Sequence, residues 1–96
     1  MEIKWLRKAL QNLDREAEYI AKDDLQAARI VVQHIYRTVS LLRDNPALGH
    51  PGRLPGTYEL VIPKTRFIVP YRVRPHPQRI EILRVFHASR KLPDRW

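Results

Sequence analysis

Residues 49–75 read GHPGRLPGTYELVIPKTRFIVPYRVRP, and the fold turns on where this stretch changes its period. All three glycines, Gly49, Gly52 and Gly56, fall within eight residues and interleave with Pro51 and Pro55, after Pro46. Such a run reads as loop, because glycine and proline punctuate helices and strands. It is not a phosphate-cradling loop: no Gly-Lys-Ser/Thr end is present. From Thr57 the apolar residues alternate. Tyr58, Leu60 and Ile62 share one side and Glu59 and Val61 the other; Pro63-Lys64-Thr65 turns the chain. Phe67, Val69, Tyr71 and Val73 then form an apolar face opposite Arg66, Ile68, Pro70, Arg72 and Arg74. Pro70 predicts an irregularity or an edge, since it brings no N–H to a sheet. Pro75-His76-Pro77-Gln78 turns again, and Arg79 to His87 reads as a last strand. Three strands with short connections predict an antiparallel meander.

Upstream, the period is helical. Leu6, Leu10, Leu13, Ala17 and Ile20 make one stripe; Ala28, Val31, Val32, Ile35, Val39 and Leu42 make another. Lys22-Asp23-Asp24 separates them, with Asp23 as a candidate cap and Gln26 three residues on. Asn45-Pro46 closes the second helix. A connection this short predicts an antiparallel helical hairpin. Met1 to Trp5 alternates like a strand. The order β-α-α-β-β-β gives an α+β, two-layer fold: an N-terminal strand, then a helical hairpin packed on an antiparallel sheet of three to four strands. The chain of 96 residues suffices for one domain, spanning 1–96.

The charge is uneven. Residues 1–48 carry eight basic and seven acidic side chains, and residues 49–96 carry ten basic and three acidic, Glu59, Glu81 and Asp94. Nearly all of the net +8 thus sits in the second half, which implies a polyanionic partner: nucleic acid, an acidic protein segment, or both. No stretch approaches the roughly 20 apolar residues of a membrane span. Lys4, Arg7 and Lys8 break any signal-peptide pattern. There is no cysteine for disulfide or thiolate chemistry. These features predict a cytoplasmic protein without membrane contact. The histidines at 34, 50, 76 and 87 are too dispersed for a metal site, and nothing in the chain asks for a cofactor.

The residues Lys4-Trp5, Asn12-Leu13-Asp14, Asn45-Pro46-Ala47-Leu48-Gly49, Pro51-Gly52-Arg53, Pro55-Gly56-Thr57, Ile68-Val69-Pro70-Tyr71-Arg72-Val73 and Ile80 to Arg90 follow one another in a spacing that resembles the RelE/ParE toxins. The likeness is greatest to the ParE-like branch. Order and spacing carry it over about ninety residues; no single piece is specific. The resemblance implies a toxin of a type II toxin–antitoxin system and the same hairpin-on-sheet fold. It also implies a cognate antitoxin, ParD-like or RelB-like, whose C-terminal segment wraps sheet edge and basic face and orders on binding.

The superfamily divides between toxins that poison DNA gyrase and ribosome-dependent endoribonucleases that cut mRNA. Metal-free RNA cleavage needs a base, a cation on the scissile phosphate and an acid. The cleaving relatives place an arginine on the middle strand, followed by leucine, valine and tyrosine. Ile68 stands at that position here, and isoleucine holds no phosphate. The reading that follows is a ParE-like gyrase inhibitor without catalytic residues. An endoribonuclease would have to use His87, Arg90 and one of Arg66 or Arg72, and a plain nucleic-acid-binding module is the third possibility. In any of these the arginines 66, 72, 74, 79, 84 and 90 are the candidates for antitoxin or target binding. Their plainer role is a solvated edge that blocks pairing with other sheets.

Overall fold

The structure, a computed structural model, describes residues 1–89. Strand β1 (Glu2–Trp5) leads into helices α1 (Arg7–Ala21) and α2 (Leu25–Ser40), and a 3-10 turn (Leu41–Arg43) closes α2. Five strands follow: β2 (His50–Pro51), β3 (Tyr58–Val61), β4 (Phe67–Pro75), β5 (Gln78–Ile82) and β6 (Phe86–His87). The sheet order is β1-β5-β4-β3-β2, with β6 also on β4. The helical hairpin covers one face, as expected. Ala9, Leu13, Ile35, Val39 and Leu42 meet Leu60, Ile62, Val69, Tyr71, Ile80 and Ile82 in a continuous buried core.

Five details depart from the sequence reading, the last of them in the C-terminal strand. First, the sheet is mixed: β1 lies parallel to β5, Ile3 beside Ile80 and Trp5 beside Ile82. An alternating strand fixes which side chains face the core but not its partner, and the helical hairpin between β1 and the meander is long enough for a parallel crossover. Second, the α1 stripe is shifted. Ala9, Leu13 and Glu16 are buried, whereas Leu10 is 41% exposed. Third, Asp24, not Asp23, caps α2: its carboxylate accepts a hydrogen bond from the Ala27 N–H at 3.1 Å. Fourth, a two-residue strand, β2, lies inside the glycine- and proline-rich loop and pairs with Tyr58 and Glu59.

The expected last strand is two strands separated by a break at Leu83–Val85, and Pro70 accounts for the break. Pro70 lies in the central strand β4, not at an edge, and its carbonyl accepts from the Leu83 N–H at 2.9 Å. In a strand the N–H and C=O of one residue point to the same neighbour, so the missing N–H of Pro70 falls on this side, where a regular partner would find no donor. The chain leaves register there, and Asn12 of α1 repairs it. The Asn12 Oδ1 accepts from the Val85 N–H at 3.2 Å and from Arg84 Nε at 2.8 Å.

Tyr71 ties the long loop to the sheet. Its ring is fully buried and stacks on Tyr58, centroids 5.4 Å apart. Its hydroxyl donates to the Pro46 carbonyl at 2.8 Å and accepts from the Gly49 N–H at 2.9 Å. Position 49 must be glycine for this approach, because a Cβ would stand 2.8 Å from both the Tyr71 ring and the Glu59 carbonyl.

Tyr71→Phe is expected to destabilise the fold by about 1–2 kcal/mol, since it strands a part-buried N–H and a part-buried C=O. Gly49→Ala is expected to destabilise it too, through overpacking against backbone. Urea unfolding followed by circular dichroism measures both; a Tyr71→Phe midpoint equal to the wild type would show that the phenol does not hold the loop.

Candidate functional site

Strand alternation sends Arg72 and Arg74 to the sheet face away from the helices, because Tyr71 and Val73 point into the core. The β4–β5 register sets Arg72 opposite Glu81 and Arg74 opposite Arg79. Glu81 is the centre of this group. Its carboxylate accepts from Arg72 Nε at 2.6 Å, Arg74 Nε at 3.0 Å and Arg79 Nε at 3.0 Å, and the Arg79 Nη2 lies 2.6 Å away. The Glu81 side chain is 3% exposed, while those of Arg72, Arg74 and Arg79 are 38%, 47% and 28% exposed. One buried anion thus anchors three cations that still reach solvent. Lys4 on β1 lies in register with Glu81, and Glu2 with Arg79.

Burial alone would raise the Glu81 pKa, but the hydrogen bonds from Arg72, Arg74 and Arg79 outweigh it and hold the pKa at about 2, against an ordinary value of 4.5. A second buried carboxylate on this face, Glu59, is bound by Arg53 through Nε and the backbone N–H, each 3.0 Å from Oε2. Burial raises its pKa as well, and the Arg53 hydrogen bonds bring it below the ordinary value.

The remaining candidates lie apart from the Glu81 group. Arg84 is held by Asn12 of α1, with its guanidinium 4.8 Å from the Phe86 ring centroid. Arg66 precedes β4, is exposed, and gives its carbonyl to the Ala88 N–H. His87 pairs with Phe67 and meets its ring edge-on at 5.2 Å. Phe67 has the parity of Tyr71, so His87 belongs to the opposite side of the sheet from Arg72. Its Nδ1 lies 2.6 Å from the Ser89 Oγ. Ile68 is 8% exposed and in register with the buried Phe86. Arg90 lies outside the described residues. His87 and Arg72 are therefore not brought to one site. Among the described residues no group of three His, Cys, Asp or Glu converges as metal ligands, and no helix is long and apolar enough to cross a membrane.

Two features were missed in the sequence. Glu81 appeared there only as one of few acidic residues; arginines two apart on one strand and Arg-x-Glu on the next were the readable sign. The other is an open apolar groove between the helices, lined by Ala17, Ala21, Leu25, Ala28 and Val32. Leu25, 56% exposed, sits in it.

The depressed Glu81 pKa fixes a pH dependence. The unfolded chain takes up this proton near pH 4.5, the folded chain only near 2. The stabilisation is fully present above about pH 4.5 and is lost as pH falls towards about 2. Glu81→Gln is expected to cost about 2 kcal/mol at neutral pH, less than a fully buried pair because the arginines reach water. It is also expected to flatten the acid limb of the stability profile, measured by urea unfolding at stepped pH; an unchanged limb would refute the assignment.

The ParE toxin family of type II toxin–antitoxin systems, parDE, has a family model that matches residues 3–92. The "Putative toxin Y4kP" of Sinorhizobium fredii is 43% identical over 92 residues, covering 96% of this chain and 93% of that protein. A structure of a chromosomal ParDE toxin–antitoxin system from P. aeruginosa superposes with a TM-score of 0.82 at 32% identity, over 93% of this chain and 97% of that one. The isolated RelE toxin of E. coli shares the fold at a TM-score of 0.68 and 13% identity, over 94% and 86% of the two chains. The fold and family expected from the resemblance are those found: this chain belongs to the ParE family of type II toxin–antitoxin toxins.

Proposed function

We propose that this toxin inhibits DNA gyrase in the cytoplasm, stalling it on DNA, and that a cognate ParD-like antitoxin neutralises it. The observation that carries the reading is Ile68. At the position where the resemblance implies a phosphate-holding arginine in RNA-cleaving toxins, this chain has a buried isoleucine in register with the buried Phe86. Arg72, four residues further along the strand, is held on Glu81, and Arg84 on Asn12. The only described histidine of the proposed nuclease set, His87, belongs to the other side of the sheet. Inhibition by binding asks for none of these groups.

Neutralisation needs a surface for the antitoxin. The groove between α1 and α2 suits an amphipathic segment, because small alanines open it and apolar Leu25 and Val32 line it.

Purified toxin is expected to abolish supercoiling by gyrase and to accumulate cleaved gyrase–DNA complexes, while message on translating ribosomes stays intact. Adding the antitoxin encoded beside the toxin is expected to restore supercoiling. If the message is cut instead, and His87→Ala stops the cutting, the endoribonuclease reading replaces this one.

A further inference from the structure

We propose that Arg72, Arg74 and Arg79, held on Glu81, form a docking surface for the phosphate backbone of duplex DNA. The inference rests on the gyrase reading and deepens it: the toxin touches the DNA that gyrase holds as well as the enzyme.

Charge is the first argument. The patch carries Lys4, Arg72, Arg74 and Arg79 against Glu2 and Glu81, so its positive excess survives its own ion pairs. Orientation is the second. Arg72 and Arg74 approach Glu81 through Nε, and their terminal nitrogens make no hydrogen bond among the described residues. A guanidinium fixed by its inner nitrogen presents its outer N–H groups in a set direction, the geometry that suits phosphate oxygens. Ordering cost is then met in the free toxin and not on binding.

The surroundings choose the class of partner. An acidic peptide that wraps a protein anchors through apolar side chains as well as charge. Among the described residues the exposed large apolar ones are Leu10, Tyr19, Leu25, Ile30, Tyr36, Leu41, Leu48 and Val61, none of them on β1, β5 or residues 71–75 of β4. Among the described residues the exposed tyrosines are both on the helices, so these offer bases of a single strand no stacking platform on this face. A surface of fixed cations that shows no apolar anchor and no aromatic shelf among the described residues matches the backbone of a duplex, which positions without reading sequence.

The test is fluorescence anisotropy of a short fluorescein-labelled duplex titrated with toxin between about 50 and 200 mM salt. Three phosphate contacts give a log–log salt slope of roughly −2.7, or about a 40-fold loss of affinity across that range. Arg74→Gln/Arg79→Gln, which leaves Arg72 to pair Glu81, is expected to reduce the slope by about 1.8. Lys8→Gln/Arg15→Gln removes as much charge from exposed positions on α1 and is expected to keep the wild-type slope. If the arginine pair fails to fold, Arg74→Gln alone reads half the effect. The proposal is overturned if the arginine variants keep the full slope, if the α1 control loses as much, or if the arginine variants lose antitoxin binding while DNA binding stands. Binding to gyrase without DNA is measured in parallel. A wild-type toxin that ignores gyrase but shows the expected slopes sinks the gyrase reading and leaves the phosphate surface standing.

Discussion

Three guanidinium groups share one carboxylate on the sheet face away from the helical hairpin. Without Glu81, Arg72, Arg74 and Arg79 would repel one another across adjacent strands, since Arg74 and Arg79 are direct cross-strand partners. With it, like charges sit side by side in a fixed arrangement. The carboxylate is buried because the arginine stems close over it, and it stays ionised because they donate to it. Each half of the arrangement requires the other. The strong basicity of the second half of the chain therefore becomes a surface with a shape, not a diffuse field.

The fold was legible where the physics is local. The change from helical to alternating period at Thr57 separates hairpin from sheet, and it needs only neighbours along the chain to be seen. The β4 alternation was equally readable, and the structure keeps it: Phe67, Val69 and Tyr71 in the core, Arg72 and Arg74 outside it. What escaped was pairing. Nothing in Ile3 and Trp5 says that they lie beside Ile80 and Ile82, and nothing in Arg79–His87 says that the strand breaks after Ile82. The break was foreshadowed by Pro70, but its place depends on which strand stands opposite, a tertiary fact. The same limit hid the site. Residue type alone singles out six arginines, and the structure sorts them by partner: three to Glu81, one to Asn12, Arg66 in front of β4 with its carbonyl on the Ala88 N–H, and Arg90 outside the described residues.

Sorting by partner also changes how the two branches of the superfamily compare on one scaffold. Shared topology leaves the central strand in place, and the chemistry is set by which side chain occupies a given rung. At Ile68 that rung is buried and in register with Phe86 of β6. The cations of this strand, Arg72 and Arg74, lie beyond Pro70. The proline marks the boundary between an apolar end of the face and a charged one.

The Tyr71 hydroxyl reaches from the middle of the sheet to the start of the glycine- and proline-rich loop. A loop anchored in this way is held at Gly49 by a group of the core. While the Tyr71 ring stays packed its hydroxyl stays in place to receive that amide, so hydrogen exchange at Gly49 is expected to be slower than in an untethered loop. The stretch that looks most like a flexible linker in the sequence is, at this one point, tied to the centre of the molecule.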